Sequence, residues 1–216
     1  MEYSIPKPEI GLFCFYLYDY FQFNDFFYSA DRRINRELKD DKESFLKFAE
    51  ILFEVGNTTL RQQEKIFAHA RLALNSFASR NYVFPSLFIF LIYIRDFDKN
   101  LFEKIRNKEI KPQELLKQIR RFFPENIDKY DLSYFTAIEA RLILYYNNYY
   151  RKTFPESKIF ERDSTTGNLN LFIESEIDKE SSNFLSNLQS INNTSVSDIP
   201  LSFLLDKIDL LENFSC

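Results

Sequence analysis

The sequence predicts an all-α fold: an orthogonally packed multi-helix domain followed by a small C-terminal helical appendage. Three observations predict it. Glycine occurs at only three of 216 positions, and folds rich in tight hairpins need residues with positive φ much more often. Apolar residues recur at intervals of three and four along most of the chain, which is the helical period. Ser, Thr, Asp or Pro precedes most of these stretches, as is typical of helix N-termini.

The N-terminal part of the chain begins with an aromatic-rich stretch. Short polar side chains interrupt the apolar sequence of residues 11–27. This pattern predicts one or two short helices. Asp41 is the predicted N-cap of a helix over residues 44–55, because apolar side chains three and four positions apart follow it. Gly56 lies just past the last apolar residue and is the predicted stop of this helix.

The middle of the chain is predicted to form the core. Thr58 or Thr59 caps a helix that reaches about Ala78. Residues 87–94 are apolar on every side, so they are predicted to form the buried central helix. Their β-branched and aromatic content also fits a strand. Pro85 at the first helical position and the helices on either side favour a helix.

Three further helices are predicted by the same signals. Each begins after an acidic cap or at a proline, and each keeps helical spacing of its apolar residues. These helices cover residues 99–108 after Asp98, 113–123 after Pro112 and 133–150 after Asp131.

The composition changes after residue 151. Thr, Ser, Gly, Pro and charged residues dominate residues 152–168, which predicts a loop or linker. A short helix is predicted over residues 173–189, and Pro200 begins a last amphipathic helix. The predicted organisation is therefore a helical domain over 1–151, a linker over 152–168 and a helical appendage over 169–216.

The charge of the chain is uneven. The net charge is −4, which does not favour nucleic-acid binding, since proteins that bind nucleic acids usually carry an excess of basic residues. Residues 101–121 nevertheless form a basic patch. Two exposed helix faces joined by a turn explain it, and a docking surface for an acidic partner or for phosphates is the alternative. Its basic residues are Lys104, Arg106, Lys108, Lys111, Lys117, Arg120 and Arg121.

The sequence offers no complete catalytic or metal site. It contains neither the P-loop motif nor the G-x-G-x-x-G fingerprint. Two cysteines and the single histidine, His69, are too few for a typical zinc site, and His69 is predicted at the surface or at a helix edge. The carboxylates of Glu174, Glu176 and Asp178 lack the spacing of a calcium loop and are predicted to be solvated. We therefore expect no enzymatic activity, no metal and no cofactor in this chain.

The location of the chain is predicted from three features. Its apolar runs, residues 10–18 and 82–94, are shorter than the roughly 20 residues that a membrane-spanning helix needs. Residues 1–9 contain two prolines and no secretory signal. The two cysteines, Cys14 and Cys216, form no disulfide framework. These features fit a reducing cytoplasm.

Four segments, in their order along the chain, resemble the C-terminal helical half of bacterial KAP-family P-loop NTPases. The resemblance covers most of residues 19–150 and, more loosely, residues 201–213. The segments are GNTTLRQQEK over residues 56–65, FPSLFIFL over 84–91, DKNLFEKI over 98–105 and YYNNY over 145–149.

This resemblance implies a regulatory role. In that family the nucleotide-binding domain, which would bind ATP and magnesium, precedes the helical part, and the family is associated with phage exclusion. The chain would then be a non-catalytic lid whose partner is a P-loop NTPase domain, in cis or in trans. Arg61 would be the lid arginine that faces the nucleotide phosphates; a surface ion pair between Arg61 and Glu64 is the alternative. The aromatic residues Phe13, Phe15, Phe21 and Phe23 would form the interface.

Other functions remain open on the sequence. The chain also fits a free-standing adaptor or inhibitor that acts by protein–protein interaction, and self-association is open as well. Binding of RNA or DNA through the basic patch is a third alternative, and such binding would weaken steeply with salt.

Overall fold

Helices make up most of the computed structural model, which describes residues 9–27, 41–78, 82–126, 132–165, 167, 169–180, 182–193 and 200–209. Within these residues lie ten α-helices, a short 3₁₀ turn and one two-stranded sheet. The prediction of an all-α fold is confirmed. The helices are α1 (Ile10–Tyr20), α2 (Asn24–Phe27), α3 (Asp41–Val55), α4 (Leu60–Asn75), α5 (Pro85–Phe97), α6 (Lys99–Arg106), α7 (Pro112–Ile119), α8 (Leu132–Tyr150), α9 (Ser182–Asn192) and α10 (Leu201–Asp209).

The chain divides into two compact units. The first comprises Met1–Asp96 and Lys207–Cys216, and the second comprises Phe97–Asp206. This division differs from the predicted boundary after residue 151. The polar composition after that residue indicates exposed sequence. Helix α9 nevertheless packs on α8 and so belongs to the same unit as α6, α7 and α8.

Aromatic rings from four helices form the core of the first unit. Phe45 of α3 is central: its ring centroid lies 5.0 Å from that of Phe23, 5.4 Å from Phe27, 5.5 Å from Phe67 and 6.1 Å from Tyr18. These rings are all buried. Rings at such separations attract one another beyond the effect of burial alone, so the cluster holds α1 to α4 together.

The apolar segment after Pro85 is a helix and not a strand. Pro85 is the first residue of α5, and every residue from 85 to 94 is buried. The missing N–H of proline is tolerated at this position because it has no partner within the helix. The predicted central helix is therefore confirmed.

The second unit is organised around α8. Both α7 and α9 pack on this helix. The rings of Phe123 and Phe135 meet edge to face at 5.6 Å, and the Tyr146 hydroxyl donates a hydrogen bond of 2.5 Å to the carbonyl of Ile110. The sheet, which the sequence did not predict, pairs β1 (Phe160–Arg162) with β2 (Leu169–Leu171) in antiparallel register.

Several predicted helix starts are confirmed by their caps. The Thr59 hydroxyl accepts from the Gln62 N–H, and the Gln62 side chain accepts in return from the Thr59 N–H, which is a capping box. Asp98 Oδ1 accepts from the Leu101 N–H at 3.1 Å at the start of α6. Asp131 lies outside the described residues. Asp41 is not the N-cap but the first residue of α3, and its carboxylate accepts from the Tyr82 hydroxyl at 3.0 Å.

Three helices end without glycine in the left-handed position. Gln22 (φ 55°), Asn57 (φ 44°) and Lys108 (φ 59°) occupy it after α1, α3 and α6. After α3, the Thr58 N–H bonds to the Phe53 carbonyl at 3.1 Å and the Asn57 N–H bonds to the Glu54 carbonyl at 3.1 Å. These two bonds define a Schellman motif. Glycine is therefore scarce at helix ends because larger residues adopt the strained left-handed conformation in its place.

Gly56 follows the last residue of α3, but glycine is required there for a different reason from the predicted one. Its φ is not positive, so its conformational freedom is not what the site requires. A Cβ at this position would overlap the Tyr93 hydroxyl and lie 3.1 Å from the Leu52 carbonyl. Because Tyr93 is buried, α3 and α5 can pack this closely only if residue 56 has no side chain.

We expect Gly56→Ala to lower the free energy of unfolding by about 1–3 kcal/mol, which is typical of overpacking a core. Urea unfolding of the full chain measures it. Gly11→Ala is the matched control: its Cβ would meet only the flexible Glu50 side chain, and alanine has the higher helix propensity. Equal destabilisation by the two variants would contradict the role assigned to Tyr93.

Candidate functional site

Helix α1 presents large apolar side chains on two opposite sides. Cys14, Leu17 and Tyr18 are buried. Leu12, Phe15, Tyr16 and Tyr20, which we call the aromatic face, are 68%, 48%, 56% and 62% exposed. Positions 12, 16 and 20 are four residues apart, so they share one side of the helix. Contiguous apolar surface of this kind marks interaction sites in folded proteins.

Two rings of the aromatic face, those of Tyr16 and Tyr20, stack in a row with the neighbouring ring of Phe13. Tyr16 stacks on Tyr20 with a centroid separation of 5.9 Å, and Phe13 stacks on Tyr16 at 5.9 Å. Such contacts restrict the rotamers of the exposed rings before any partner arrives. Less conformational entropy is then lost on binding.

Charged groups of α3 flank the aromatic face. Lys42 Nζ lies 4.4 Å from the centroid of the Phe15 ring and 4.0 Å from Asp19 Oδ1. The Glu50 carboxylate lies against Gly11. Burial, and then the nearby charges of Glu54 and Glu9, raise the pKa of Glu50. The two ends of the face therefore differ in their surroundings: one has an ion pair, and the other has crowded carboxylates.

The four phenylalanines predicted as an interface lie in three environments. Phe15 is exposed, Phe13 and Phe21 are partly buried, and Phe23 is fully buried in the ring cluster around Phe45. Only part of the predicted set is thus available to a partner. The sequence analysis missed Leu12, Tyr16 and Tyr20. Their four-residue spacing places them on one side of α1, but apolar residues occur all around this helix, so the sequence did not mark that side as the exposed one.

Arg61 lies in the first turn of α4, at the second position after the Thr59 cap, and is exposed. It forms no ion pair with Glu64 and no side-chain hydrogen bond with any residue that the structure describes. Among the described residues of the first unit, none therefore holds the Arg61 guanidinium.

Three residues of the predicted basic patch are engaged within the second unit. Lys108 Nζ donates to the Thr153 hydroxyl at 2.9 Å and lies over the Tyr149 ring. Arg120 Nη1 donates to the carbonyls of Phe123 and Pro124 at 3.2 and 3.1 Å. Arg121 pairs with Asp98. These contacts stabilise the chain and occupy donors that an acidic partner or phosphates would otherwise use.

His69 is buried, which corrects its predicted surface or edge position. It follows Ile66 by three residues and precedes Ala73 by four, so it lies on the buried side of α4. Its Nε2 is 2.9 Å from the Ile208 carbonyl, and its Nδ1 is 3.5 Å from Asp96 Oδ1. We call His69, Arg95, Asp96 and Asp209 the His69 cluster.

The pKa of Asp96 in this cluster is lowered. Burial alone would raise it. The hydrogen bond and charge of His69, together with the charges of Lys65 and Arg95, outweigh burial. Asp96 is therefore ionised at neutral pH. Its Oδ2 is buried and has no hydrogen-bond partner among the described residues.

A second buried carboxylate, Glu139 of α8, organises the segment before α9. It accepts hydrogen bonds from the Ser175 hydroxyl at 2.5 Å and from the Glu176 N–H at 3.0 Å. Burial raises the pKa of Glu139 to about 7, although these two hydrogen bonds act in the opposite direction. A raised pKa is a feature of many catalytic acids, but Glu139 is fully buried and its contacts are those of a structural tether.

The three carboxylates predicted to be solvated differ in exposure: Glu174 is exposed, Glu176 is partly buried and Asp178 is buried. Asp178 is buried, and its Oδ2 accepts from the N–H groups of Asn183 and Phe184 at 2.7 and 3.1 Å at the start of α9. This cap explains why α9 begins at Ser182 and not at residue 173. Glu174 is exposed as predicted. Within the described part of the chain, no three His, Cys, Asp or Glu side chains are arranged to hold a metal ion.

Comparison with known proteins gave no match to a family model, a curated protein or a solved structure. The resemblance to KAP-family NTPases therefore rests on the four segments quoted above. None of the helices that the structure describes is long and apolar enough to cross a membrane.

We expect Glu139→Gln to stabilise the protein at alkaline pH. The folded-state pKa of Glu139, about 7, lies above its ordinary value of 4.5. Its contribution to the free energy of unfolding is therefore full below the ordinary value and is lost as the pH rises through about 7. At about pH 8 the gain should reach up to about 3 kcal/mol, and it should disappear at about pH 4.5, where wild-type Glu139 is also neutral.

Urea unfolding of both proteins at the two pH values measures this difference. Glu180→Gln is the control, because Glu180 is exposed and removal of its charge should have nearly the same effect at both pH values. A pH-independent effect of Glu139→Gln would show that Glu139 remains ionised when buried.

Proposed function

We propose that this chain is a non-catalytic helical module that acts by binding another protein through the aromatic face of α1. The observation that carries the proposal is the exposure of four large apolar side chains on one helix, each about half exposed or more. They present roughly 400 Å² of apolar surface, within the range of functional patches on monomeric proteins. Burial of this surface by a partner would remove it from water.

We propose a P-loop NTPase domain as the partner, as the resemblance to the KAP family implies. In this proposal the chain is a lid or regulatory module, and ATP and magnesium are held by the partner. The exposed Arg61 supports this assignment, since a guanidinium that no described residue engages can reach phosphates on another surface. A role in phage defence is the wider context that the family resemblance suggests.

The flanking charges help to define how the partner binds. At one end of the aromatic face, burial and then the charges of Glu54 and Glu9 raise the pKa of Glu50, so a basic group of the partner would relieve the repulsion at Glu50. Lys42 at the other end is already stacked on Phe15. The favoured partner surface is therefore an apolar groove with basic residues at one end.

Photocrosslinking in the source cells tests the proposed interface. A photoreactive amino acid replaces Tyr16 in one variant and Phe172 in the other. Both residues are 56% exposed, but Phe172 lies in the second unit and is the matched control. We expect a crosslink from position 16 and none from position 172, and we expect the captured protein to carry a Walker A motif.

Three other results would contradict parts of the proposal. A captured protein without a nucleotide-binding motif would support the free-standing adaptor or inhibitor instead. Crosslinks only between copies of this chain would assign the aromatic face to self-association. No crosslink at position 16 would remove the aromatic face as an interface.

Tyr16→Ser should weaken binding of the captured partner by about 30-fold, as is typical when an aromatic anchor is lost. Because Tyr16 is exposed, the free energy of unfolding should change by no more than about 0.5 kcal/mol. Titration calorimetry and urea unfolding measure the two quantities, with Phe172→Ser as the control. Equal effects of both substitutions on binding would count against the aromatic face.

Arg61→Ala tests the lid assignment separately. If Arg61 faces the nucleotide phosphates, the substitution should lower ATP hydrolysis by the complex at least about 100-fold, below the full effect of an arginine finger. The affinity of the complex should change little. Arg151→Ala is the control, because Arg151 is also exposed. Unchanged hydrolysis with Arg61→Ala would remove this residue from the site and leave the aromatic face untouched.

A further inference from the structure

Polar contacts tie the end of α10 to α4 and α5 within the first unit. Lys207 Nζ donates to the carbonyl of Ser76, the C-cap of α4, at 2.7 Å. The Ile208 carbonyl lies 2.9 Å from His69 Nε2. Asp209 Oδ1 lies 3.5 Å from Arg95 Nε. The Ile208 side chain is fully buried, so these contacts surround a small apolar anchor.

Both ring nitrogens of His69 face groups that accept hydrogen bonds. Nε2 faces the Ile208 carbonyl, which has no proton to donate, and Nδ1 faces the Asp96 carboxylate. A neutral imidazole has one N–H and one lone pair, so it can satisfy only one of these acceptors. An imidazolium has two N–H groups and satisfies both. The arrangement therefore matches the protonated ring.

The charge balance of the cluster leads to the same protonation state. Asp96 and Asp209 contribute two carboxylates, and Arg95 contributes one half-buried cation that lies close to both. With a neutral His69 the buried cluster has an excess negative charge; with a protonated His69 it is balanced. Burial of unbalanced charge is strongly unfavourable.

The other charges that the described residues bring near the ring do not replace that of His69. Lys65 acts on Asp96 from an exposed position, where solvent screens its charge. Lys207 is directed at the Ser76 carbonyl. The charged groups that the described elements bring around His69 are Lys65 of α4, Arg95 and Asp96 of α5, and Lys207 and Asp209 of α10.

We propose that His69 is a protonation-controlled latch that holds the end of α10 against α4 and α5 when charged and releases it when neutral. Loss of the proton leaves the Nδ1 lone pair facing the Asp96 carboxylate and leaves the buried cluster with excess negative charge. Separation of the Lys207–Asp209 end admits water to these groups and exposes Ile208. The latch goes beyond the proposed function, because none of its residues lies on the aromatic face.

Amide hydrogen exchange of the full-length chain tests the latch. Protection factors of Lys207–Asp209 are compared at about pH 5.5 and about pH 8, which bracket the usual titration of imidazole. These factors are corrected for the pH dependence of intrinsic exchange. We expect a fall of roughly tenfold or more at the higher pH, since the contact of charged His69 with Asp96 is lost and the cluster that includes Asp209 of α10 is left with excess negative charge. The amides of α3 in the same sample are the control and should not follow this change.

The single histidine of the chain gives an independent readout. The ¹³C and ¹⁵N shifts of its imidazole report the protonation of His69 with no overlap from other histidines. We expect a doubly protonated ring at about pH 5.5, and its titration should coincide with the loss of protection in α10. A neutral ring at that pH would overturn the proposal.

Two variants remove the pH dependence by different routes. In the His69→Gln variant, the glutamine amide can donate a hydrogen bond to the Ile208 carbonyl, and its charge does not change with pH. Asp96→Asn can donate from its amide to Nδ1 of a neutral His69, which relieves the conflict at high pH. The protection of α10 should become nearly independent of pH in each folded variant. Unchanged pH dependence in either of them, or equal wild-type protection at both pH values, would overturn the latch.

Discussion

The packing of α1 against α3 and α4 is the constraint on which the proposed site depends. Tyr18 has to lie in the ring cluster around Phe45, because burial of one aromatic side chain removes about 150–250 Å² from water. Once Tyr18 points inward, the helical period directs Tyr16 and Tyr20 outward. Rotation of α1 cannot relieve their exposure without exposing Tyr18 and Leu17. The aromatic face is therefore a consequence of stable core packing and not a local defect.

In each unit, a buried polar group joins a helix to a segment that lies elsewhere in the sequence. In the first unit, His69 joins α4 to a segment about 140 residues away in sequence; in the second, Glu139 joins α8 to the segment before α9. An apolar side chain could also be buried at either position, and its burial would not require a charge to be desolvated. It would not select one register of the distant segment, since apolar contacts have no direction. We infer that both groups stabilise one arrangement at the expense of total stability.

Local signals predicted the helices well, and contacts between distant residues limited the rest. The Thr59 and Asp98 caps depend on residues within three positions, so the sequence shows them directly. The predicted surface or edge position of His69 was wrong because it relied on the polarity of the side chain. The position of His69 among the regularly spaced apolar residues of α4 indicated burial. The side of α1 that is buried could not be predicted, since apolar residues occur all around that helix. The strands β1 and β2 have three residues each, too few for a recognisable period, and the division into units depends on packing between helices.

The contrast between the aromatic face and the basic patch decides which surface is the better candidate for recognition. Lys108, Arg120 and Arg121 already hold hydroxyl, carbonyl and carboxylate groups of the second unit, so a phosphate would have to displace those contacts. The affinity gained would be the difference between two sets of hydrogen bonds, and that difference is small. Leu12, Tyr16 and Tyr20 are largely in contact with water, which a partner displaces with a net gain. Recognition through α1 therefore requires no rearrangement of this chain, whereas recognition through the engaged cations does.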